Sequence, residues 1–307
     1  MRPMNELAVK VSELTKSYGQ FVAVDRISFE VRRGEIFGLL GPNGAGKTTT
    51  LECLEGLRRP DGGSIRVADT DPTRNVKGLR NAIGVQLQTS GLPASMTVGE
   101  AMHFFCAYHG VKPRYDLLDR LGLKEKNGTQ YHALSTGLQR RLALALALAH
   151  EPPIVIMDEP TAGLDVPSRV QLHEIMAELR AKGTTILLAT HDMAEAEKMA
   201  DRVAIMVRGR IVEAGSPREL TATGSTLTKI TISTADGMFL SGERSLPGLQ
   251  RWAVQEEYFV CFSIDVGATL KTMLASIEKS GDRIIDPRVE RPTLEERFLE
   301  ITTEKSA

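Results

Sequence analysis

A glycine-rich segment at residues 41–49 carries the clearest chemistry in this sequence. It fits the pattern GxxxxGK[ST], and it lies between an apolar run and residues that favour a helix. Glycines let consecutive backbone N–H groups converge on phosphate oxygens, and a helix N-terminus adds its positive dipole end. Lys47 is expected to reach the β- and γ-phosphates of a nucleotide, and the Thr48 hydroxyl to bind Mg²⁺. The predicted phosphate-binding residues are Gly41, Pro42, Asn43, Gly44, Ala45, Gly46, Lys47, Thr48 and Thr49.

An acidic pair, Asp158 and Glu159, follows four apolar residues at 154–157. The apolar run predicts a buried strand, and Asp158 emerges at its end, where a carboxylate can hold Mg²⁺ through water. A second carboxylate beside the metal, that of Glu159, suits a general base that polarises the attacking water. The two segments together predict a P-loop ATPase that uses ATP and Mg²⁺.

Strand and helix patterns alternate over residues 7–221, and these elements must position the two segments. Such an alternation predicts an α/β fold in which a mostly parallel sheet carries helices on its faces. Strands are predicted at 8–14, 26–31, 35–40, 154–157, 185–189, 203–207 and 210–214, and helices at 47–57, 167–182 and 193–200.

The alternation is interrupted once and ends near residue 222. Between residues 94 and 150 only helical periodicity occurs, which predicts a helical subdomain at about 90–150. After a polar segment at 221–226 the pattern changes to strands at 228–233 and 258–264, with helices at 268–280 and from 293. We therefore predict an ATP-binding domain at 1–222 and a small α+β accessory domain at 223–307, which we expect to stabilise a dimer.

Further motifs make the sequence resemble the ABC ATPase family. The family signature LSGGQ is matched by LSTGL, which keeps Ser135 and Gly137 before a predicted helix at 139–149. The positions that match the remaining family motifs are Tyr18 for the aromatic that stacks on adenine, Gln88 for the Q-loop, Asp165 for the D-loop and His191 for the switch histidine. Taken alone, Tyr18 is equally consistent with packing and Ser135 with an ordinary helix cap. The order of all these motifs along the chain favours membership of the ABC ATPase family.

The resemblance implies a fold and an assembly. The fold is the ABC ATPase core, in which a mostly parallel sheet is joined by an antiparallel β subdomain and the helical insertion. Two ATPase domains of this family pack head to tail, so the ATP held by residues 41–48 and Asp158 of one subunit is covered by Ser135 and Gly137 of the other. Asp165 is expected to cross between the subunits.

The resemblance also implies roles at the reaction centre and a membrane partner. Glu159 is the expected base, His191 contacts the γ-phosphate, and Gln88 touches Mg²⁺ and senses an integral membrane permease. Lys47, Asp158, Glu159 and His191 are all kept, and no site residue is degenerate, which favours two competent sites and a homodimer. We expect the protein at the cytoplasmic face of the cell membrane, attached through the permease.

Within the family, residues 36–64 and 83–88 look like the bacterial daunorubicin-resistance type, whose members energise multidrug or antibiotic export. The terminal segment 291–299 is similar to a short acidic and hydrophobic box of such subunits, although an amphipathic final helix explains it equally well. Phe104, Phe105 and Tyr108 line either a permease-docking groove or the core of the helical subdomain. Two signature positions differ from the family, Thr136 and Leu138, and Thr136 is expected to cost about 1–3 kcal/mol if its φ is positive.

Composition excludes several other classes. The formal net charge is −1, which is not the basic balance that binds nucleic acid. The three cysteines lack metal or disulfide spacing, and no apolar run reaches the roughly 18 residues of a membrane span. Two alternatives stay open: a non-transport ABC ATPase of the DNA-repair or translation type, and a regulatory module that binds nucleotide without turnover.

Overall fold

The computed structural model describes residues 7–87, 91–222, 227–237 and 246–304. The chain forms two compact units, Met1–Pro217 and Arg218–Ala307. The strands of the first unit are β1 Leu7–Tyr18, β2 Phe21–Arg32, β3 Ile36–Leu40, β4 Gly62–Val67, β5 Ile83–Gln86, β6 Ile154–Asp158, β7 Thr185–Thr190, β8 Arg202–Val207 and β9 Arg210–Gly215. Its α-helices are α1 Lys47–Leu54, α2 Val76–Ala82, α3 Val98–Tyr108, α4 Tyr115–Arg120, α5 Thr136–Leu148, α6 Val166–Ala181 and α7 Met193–Met199.

The central sheet has six strands in the order β5-β6-β7-β3-β8-β9. The pairs from β5 to β8 are parallel, and β9 pairs antiparallel with β8. Strands β3, β6 and β7 are buried along their whole length, as expected for a parallel sheet covered on both faces. Their carboxyl ends meet at one edge of the sheet, because the strands run in the same direction.

A second sheet of three antiparallel strands has the order β2-β1-β4. Alternate residues of β2 are buried, which is the pattern of a sheet with one face on the core. The Phe29 ring stacks on the Phe37 ring of β3, with centroids 5.4 Å apart. This sheet and the central sheet therefore share one hydrophobic core.

The residues described between 91 and 153 form helices and turns but no strand beyond an isolated bridge between Thr97 and Gln130. Thr97 and Glu100 form a reciprocal capping box at the start of α3. The α5 helix begins at Thr136, three residues before its predicted start, because the Ser135 side chain caps it there. The expectation of a strand-free helical block is confirmed, while its exact limits stay a prediction.

The elements that follow Gly215 are α8 Pro217–Ala222, β10 Thr228–Thr234, β11 Leu249–Gln255, β12 Tyr258–Ser263, α9 Val266–Ser280, β13 Ile284–Glu290 and α10 Leu294–Glu304. The four strands form an antiparallel sheet in the order β11-β12-β10-β13. Met273 and Ile277 of α9 pack on Ile230, Phe259 and their neighbours to form a separate small core. The predicted domain boundary at 222/223 lies beside residues outside the described part and stays a prediction.

Most predicted elements occur, and the differences have local causes. The α1 helix ends at Leu54, not at residue 57 as predicted. The sequence reading missed β4, whose first residues are Gly62, Gly63 and Ser64, and β5, which is four residues long. Glycine has weak strand preference, and a four-residue strand shows little periodicity. Among the helices described, none combines the length and the apolar character needed to cross a bilayer.

Candidate active site

The loop after β3 has a backbone that only glycine adopts easily. Gly46 caps α1 with φ of 103°, and Gly44 has φ of 79°. A Cβ on Gly46 would lie 2.3 Å from the carbonyl oxygen of Ala23 and 2.7 Å from the Met206 methyl group. The glycine at this position therefore meets both a conformational and a steric requirement, and it sets the direction in which α1 begins.

Lys47 is the first residue of α1, and its ammonium group turns back over the loop. It donates to the carbonyl oxygens of Gly41 at 2.7 Å and Pro42 at 3.2 Å. The same Nζ lies 3.7 Å from Oε1 of Glu159. The side chain is 5% exposed, and burial lowers the pKa of Lys47, although Glu159 and Asp158 oppose that shift. A buried cation is thus held at the place where phosphate oxygens would enter the loop.

Asp158 lies at the end of β6, opposite the start of α1. Its Oδ2 accepts a hydrogen bond from the Thr48 hydroxyl at 2.8 Å, while its Oδ1 is buried without a hydrogen-bond partner. Burial raises the pKa of Asp158, and the hydrogen bond from Thr48 lowers it in part. The unpartnered oxygen marks a place where a further donor or a cation is expected.

Glu159 has a backbone conformation that is unusual for a residue with a side chain. Its φ is 49°, in the left-handed region. Two contacts fix its backbone: its N–H donates to the Ala189 carbonyl at 2.9 Å, and Arg140 donates to its carbonyl oxygen at 2.6 Å. Such strain concentrates at functional sites, where the surrounding structure over-determines the residue.

His191 follows β7 and meets the carboxylate of Glu159. Its Nδ1 lies 2.8 Å from Oε2 of Glu159, and its side chain is 54% exposed. Because an ionised carboxylate only accepts hydrogen bonds, Nδ1 is the ring nitrogen that carries the hydrogen in this contact. Both oxygens of Glu159 therefore have a basic neighbour, Lys47 on one side and His191 on the other.

The strand order explains this convergence. Strand β7 lies between β3 and β6, with Leu40 opposite Thr190 and Asp158 opposite Ala189. The loops after the three strands are therefore neighbours at one sheet edge. The structure brings together three segments that are far apart in the sequence, and they contribute Lys47 and Thr48, Asp158 and Glu159, and His191.

The other predicted site residues lie elsewhere or are outside the described part. Ser135 caps α5 by accepting from Leu138 N–H, and Asp165 caps α6 by accepting from Ser168 N–H at 2.9 Å. Within the described ranges, no hydrogen bond or ion pair joins Ser135, Gly137 or Asp165 to the Glu159 cluster. Gln88 lies outside the described residues.

Tyr18 ends β1 and is 40% exposed. Its ring has two cationic neighbours, the Arg58 guanidinium at 5.5 Å and the Lys16 ammonium at 5.7 Å from the centroid. Arg58 is itself held by Glu52, with Nε 2.7 Å from Oε2. The ring is thus partly exposed and is flanked by positive charge, which Glu52 holds in place on the Arg58 side.

The concern about Thr136 is removed by the structure. Thr136 is the first residue of α5 and is absent from the non-glycine residues with positive φ, so the anticipated backbone penalty does not arise. Gly137 likewise has no positive φ, and the nearest atom to an added Cβ there is 3.7 Å away. The signature segment is an ordinary capped helix start in its backbone.

The sequence reading did not identify four residues near this site. They are Arg140, whose guanidinium holds the Glu159 carbonyl, and a buried network of Thr161, His173 and Glu195. Arg140 lies five residues after Ser135 on α5, but nothing in the local pattern shows where its side chain reaches. Glu195 follows Asp192 at capping-box spacing, which suggests a local role instead of a tertiary one.

Comparison with known proteins supports the same reading. Residues 24–162 match the family described as ABC transporter. The chain is 39% identical over 268 residues to the Nod factor export ATP-binding protein I of Paraburkholderia xenovorans, covering 85% of this chain and 88% of that protein. It is 31% identical over 307 residues to the linearmycin resistance ATP-binding protein LnrL of Bacillus subtilis, covering 96% and 98% of the two chains.

A solved structure agrees in fold. The structure of cbiO1 from Clostridium perfringens, described as part of the ABC transporter complex cbiONQ, is 31% identical with a TM-score of 0.62, over 71% of this chain and 92% of that chain. The fold class predicted for the ATP-binding core is confirmed. The phosphate loop, the acidic pair and the histidine thus lie on the sheet of a known cassette fold, and the chain belongs to the ABC transporter family as an ATP-binding, ATP-hydrolysing subunit.

Proposed function

We propose that this subunit drives export through a separate membrane permease, working as a head-to-tail homodimer. The hydrolysis that would power export is supported by the convergence of Lys47, Asp158, Glu159 and His191 at one sheet edge. The names of two relatives, one for Nod factor export and one for linearmycin resistance, support export as the direction. A drug, an antibiotic or a lipid-like compound is the proposed class of cargo.

The Thr48 and Asp158 pair fits Mg²⁺. The hydroxyl and the carboxylate are already adjacent, and the buried Oδ1 of Asp158 lacks a partner. Among the described residues there is no group of three or more acidic, cysteine or histidine side chains suited to a metal, so the protein alone offers an incomplete shell. Mg²⁺ commonly binds through one or two protein oxygens, with phosphates and water as the other ligands. When bound, the ion would neutralise charge on the phosphates. Gln88 is proposed as a further contact to it.

The reaction is proposed to use the two oxygens of Glu159 differently. Lys47 lies near Oε1, and a triphosphate in the loop competes for that ammonium group. Once Lys47 turns to the phosphates, Oε1 is released while Oε2 stays bound to His191 Nδ1. Oε1 can then accept the proton of the attacking water as general base. The exposed His191 ring is proposed to contact the γ-phosphate.

The head-to-tail dimer is proposed because, in the described part of the chain, Ser135, Gly137 and Asp165 make no hydrogen bond or ion pair to their own Glu159 cluster. Ser135 and Asp165 are exposed, and each caps a helix. A helix N-terminus with a serine cap suits an anion. We propose that Ser135 and Gly137 cover the ATP of the partner subunit, that Asp165 crosses between subunits, and that Tyr18 stacks on adenine.

The permease is proposed to dock beside the helical subdomain. A cavity of about 390 Å³ is lined there by Phe105, Tyr108, Leu146 and their neighbours. Phe104 lies outside that lining but is 57% exposed. This groove lies next to Leu87, the residue before Gln88. Such docking would hold the subunit at the cytoplasmic face of the membrane.

The hydrolysis role is tested by Glu159→Gln. The variant should bind ATP but lose turnover by about 10²–10⁴-fold, because the water is no longer deprotonated. The matched control is Glu174→Gln, an exposed glutamate on α6, which should keep wild-type turnover. Purified protein whose Mg²⁺-dependent ATPase rate is unaffected by Glu159→Gln would contradict the assignment.

The dimer is tested by complementation between two inactive variants. Lys47→Ala removes the phosphate ligand, and Ser135→Arg blocks the signature. In a mixed head-to-tail dimer one site carries both changes and the other carries neither, so mixing should restore part of the activity. If each site belonged to a single chain, mixing would restore none.

The permease contact is tested first at the gene neighbourhood, where we expect a reading frame with several hydrophobic spans, and then by co-purification with the membrane protein that it encodes. Capture should be lost on Tyr108→Ala or Gln88→Ala and kept in Glu174→Gln.

The role proposed for residues 223–307, stabilising the dimer, is tested by truncation after Ala222. Unchanged dimerisation and transport in that truncated chain would count against it.

A further inference from the structure

A buried carboxylate, that of Glu195, lies where three elements of the first unit meet. The Thr161 hydroxyl donates to its Oε2 at 2.5 Å, and His173 Nε2 donates to its Oε1 at 2.9 Å. Thr161 lies in the loop after β6, His173 on α6 and Glu195 on α7. The side chain of Glu195 is 3% exposed and that of His173 is 11% exposed. Both carboxylate oxygens are therefore used in contacts to other elements.

This network is close along the chain to the Glu159 and His191 pair. Thr161 follows Glu159 by two residues, and Glu195 follows His191 by four. On the near side, Glu159 N–H donates to the Ala189 carbonyl at 2.9 Å. On the far side, Thr161 is bonded to Glu195. The two segments that carry the 2.8 Å contact between Glu159 and His191 are thus joined by two further hydrogen bonds, one before His191 and one after it.

The Glu195 side chain is not engaged in capping its own helix. Asp192 caps α7 by accepting from Glu195 N–H at 2.9 Å, but Asp192 N–H donates to the Thr190 hydroxyl at 3.0 Å. In a capping box the glutamate side chain would accept a hydrogen bond from the Asp192 N–H. Here the carboxylate reaches across to Thr161 and His173 instead, so its burial serves the contact between segments.

We propose that Glu195 is a positioning residue, which with Thr161 and His173 holds His191 against Glu159. The same bonds connect residues 159–165 with α7, the helix that follows His191, so that the two segments move together. The proposal rests on the proposed roles of Glu159 and His191 in hydrolysis. It assigns no contact between Glu195 and nucleotide.

The variants separate the hydrogen bonds from the bulk of the side chains. Thr161→Val keeps the shape and removes the donor, while Thr161→Ser keeps the donor. Glu195→Ala removes both contacts, while Glu195→Gln keeps an acceptor for Thr161 and offers an amide to His173. Glu174→Gln is the control on the same helix as His173. If Glu195→Ala does not fold, the Thr161 pair decides the question.

Two readouts are measured on the purified full chain. The first is a pair of constants measured on each variant, kcat for ATP hydrolysis and Kd for ATP. The second is the ¹⁵N spectrum of the histidine rings, in which the His191 signal is assigned by its loss in His191→Gln. We expect Thr161→Val and Glu195→Ala to lower kcat on the order of ten- to a hundredfold, since small misplacements at a reaction centre have such effects. The Kd should change less than about twofold, and the His191 signal should move. Thr161→Ser and Glu195→Gln should restore most of kcat.

The outcomes distinguish this inference from the proposed function. If Glu159→Gln abolishes turnover but Thr161→Val and Glu195→Ala turn over at the wild-type rate, the inference is wrong and the function stands. A loss of kcat without movement of the His191 signal also overturns the positioning role. If Glu159→Gln hydrolyses ATP normally, the proposed function fails, and the His191 signal alone decides whether Glu195 positions that ring.

Discussion

The Thr48 hydroxyl donates to Asp158 Oδ2 across 2.8 Å, so the start of α1 and the end of β6 are joined by a hydrogen bond between two proposed metal ligands. The second carboxylate oxygen, Oδ1, is buried without a partner. The pair is therefore assembled within a single chain, and a bound cation or one of its waters would give the unpartnered oxygen a partner.

The first prediction concerns Asp158→Asn. Because the amide cannot supply a negative oxygen, the variant should lose the gain in ATP affinity that Mg²⁺ gives, on the order of tenfold or more. Calorimetric titration with ATP in Mg²⁺ and in EDTA measures this gain. Glu159→Gln is the control and should keep it. An undiminished Mg²⁺ effect in Asp158→Asn would remove Asp158 from the metal site.

The second prediction concerns the phosphate loop. Gly46→Ala should destabilise the protein by about 1–3 kcal/mol, because alanine is strained at φ of 103° and its Cβ meets the Ala23 carbonyl. Urea denaturation measures the free energy of unfolding. The matched control is Gly137→Ala, where φ is not positive and the nearest atom is 3.7 Å away. That variant should lie within about 0.5 kcal/mol of wild type or be more stable, since alanine favours helix. Equal effects of the two changes would refute the steric account.

The third prediction concerns the Tyr18 ring. Tyr18→Ala should weaken ATP binding by about 1–3 kcal/mol, the usual contribution of an aromatic ring stacked on a base. Tyr18→Phe should bind nearly as well as wild type, because the ring is kept. Tyr115→Ala, an exposed tyrosine on α4, is the control. Titration with ATP and with a triphosphate lacking the base should show that only the former depends on Tyr18.

The fourth prediction concerns pH and Glu55. Burial, with the charges of Asp158 and Glu52 adding to it, raises the pKa of Glu55 from 4.5 to about 8. The folded chain then keeps a proton that the unfolded chain releases, so the carboxyl contributes stability at low pH that is lost as pH rises from about 4.5 to about 8. The slope from this group is about −1.4 kcal/mol per pH unit in that window.

Glu55→Gln should remove that slope and make the protein more stable than wild type at pH 8.5, with little difference near pH 4.5. Urea denaturation across this range, without nucleotide, gives the difference between the two proteins. Glu125→Gln, an exposed glutamate, should follow the wild-type profile. Parallel profiles for Glu55→Gln and wild type would show that Glu55 titrates normally.

The sequence by itself determined the features that depend on neighbouring residues. The glycine pattern before Lys47, the buried run before Asp158 and the helix cap at Ser135 are set by backbone conformation and burial over a few residues, so they could be predicted. The central α/β fold followed from the same local patterns. Strands β4 and β5 did not, because β4 begins with two glycines and β5 is only four residues long, so neither shows a clear strand pattern.

Only the tertiary structure decided which of these segments meet. The sheet order places β7 between β3 and β6, and that order brings Glu159 between Lys47 and His191. It also decided that Glu195, at capping-box spacing from Asp192, reaches Thr161 and His173 instead. Spacing along a chain specifies local hydrogen bonds, whereas contacts between separate strands and helices depend on how the whole core packs.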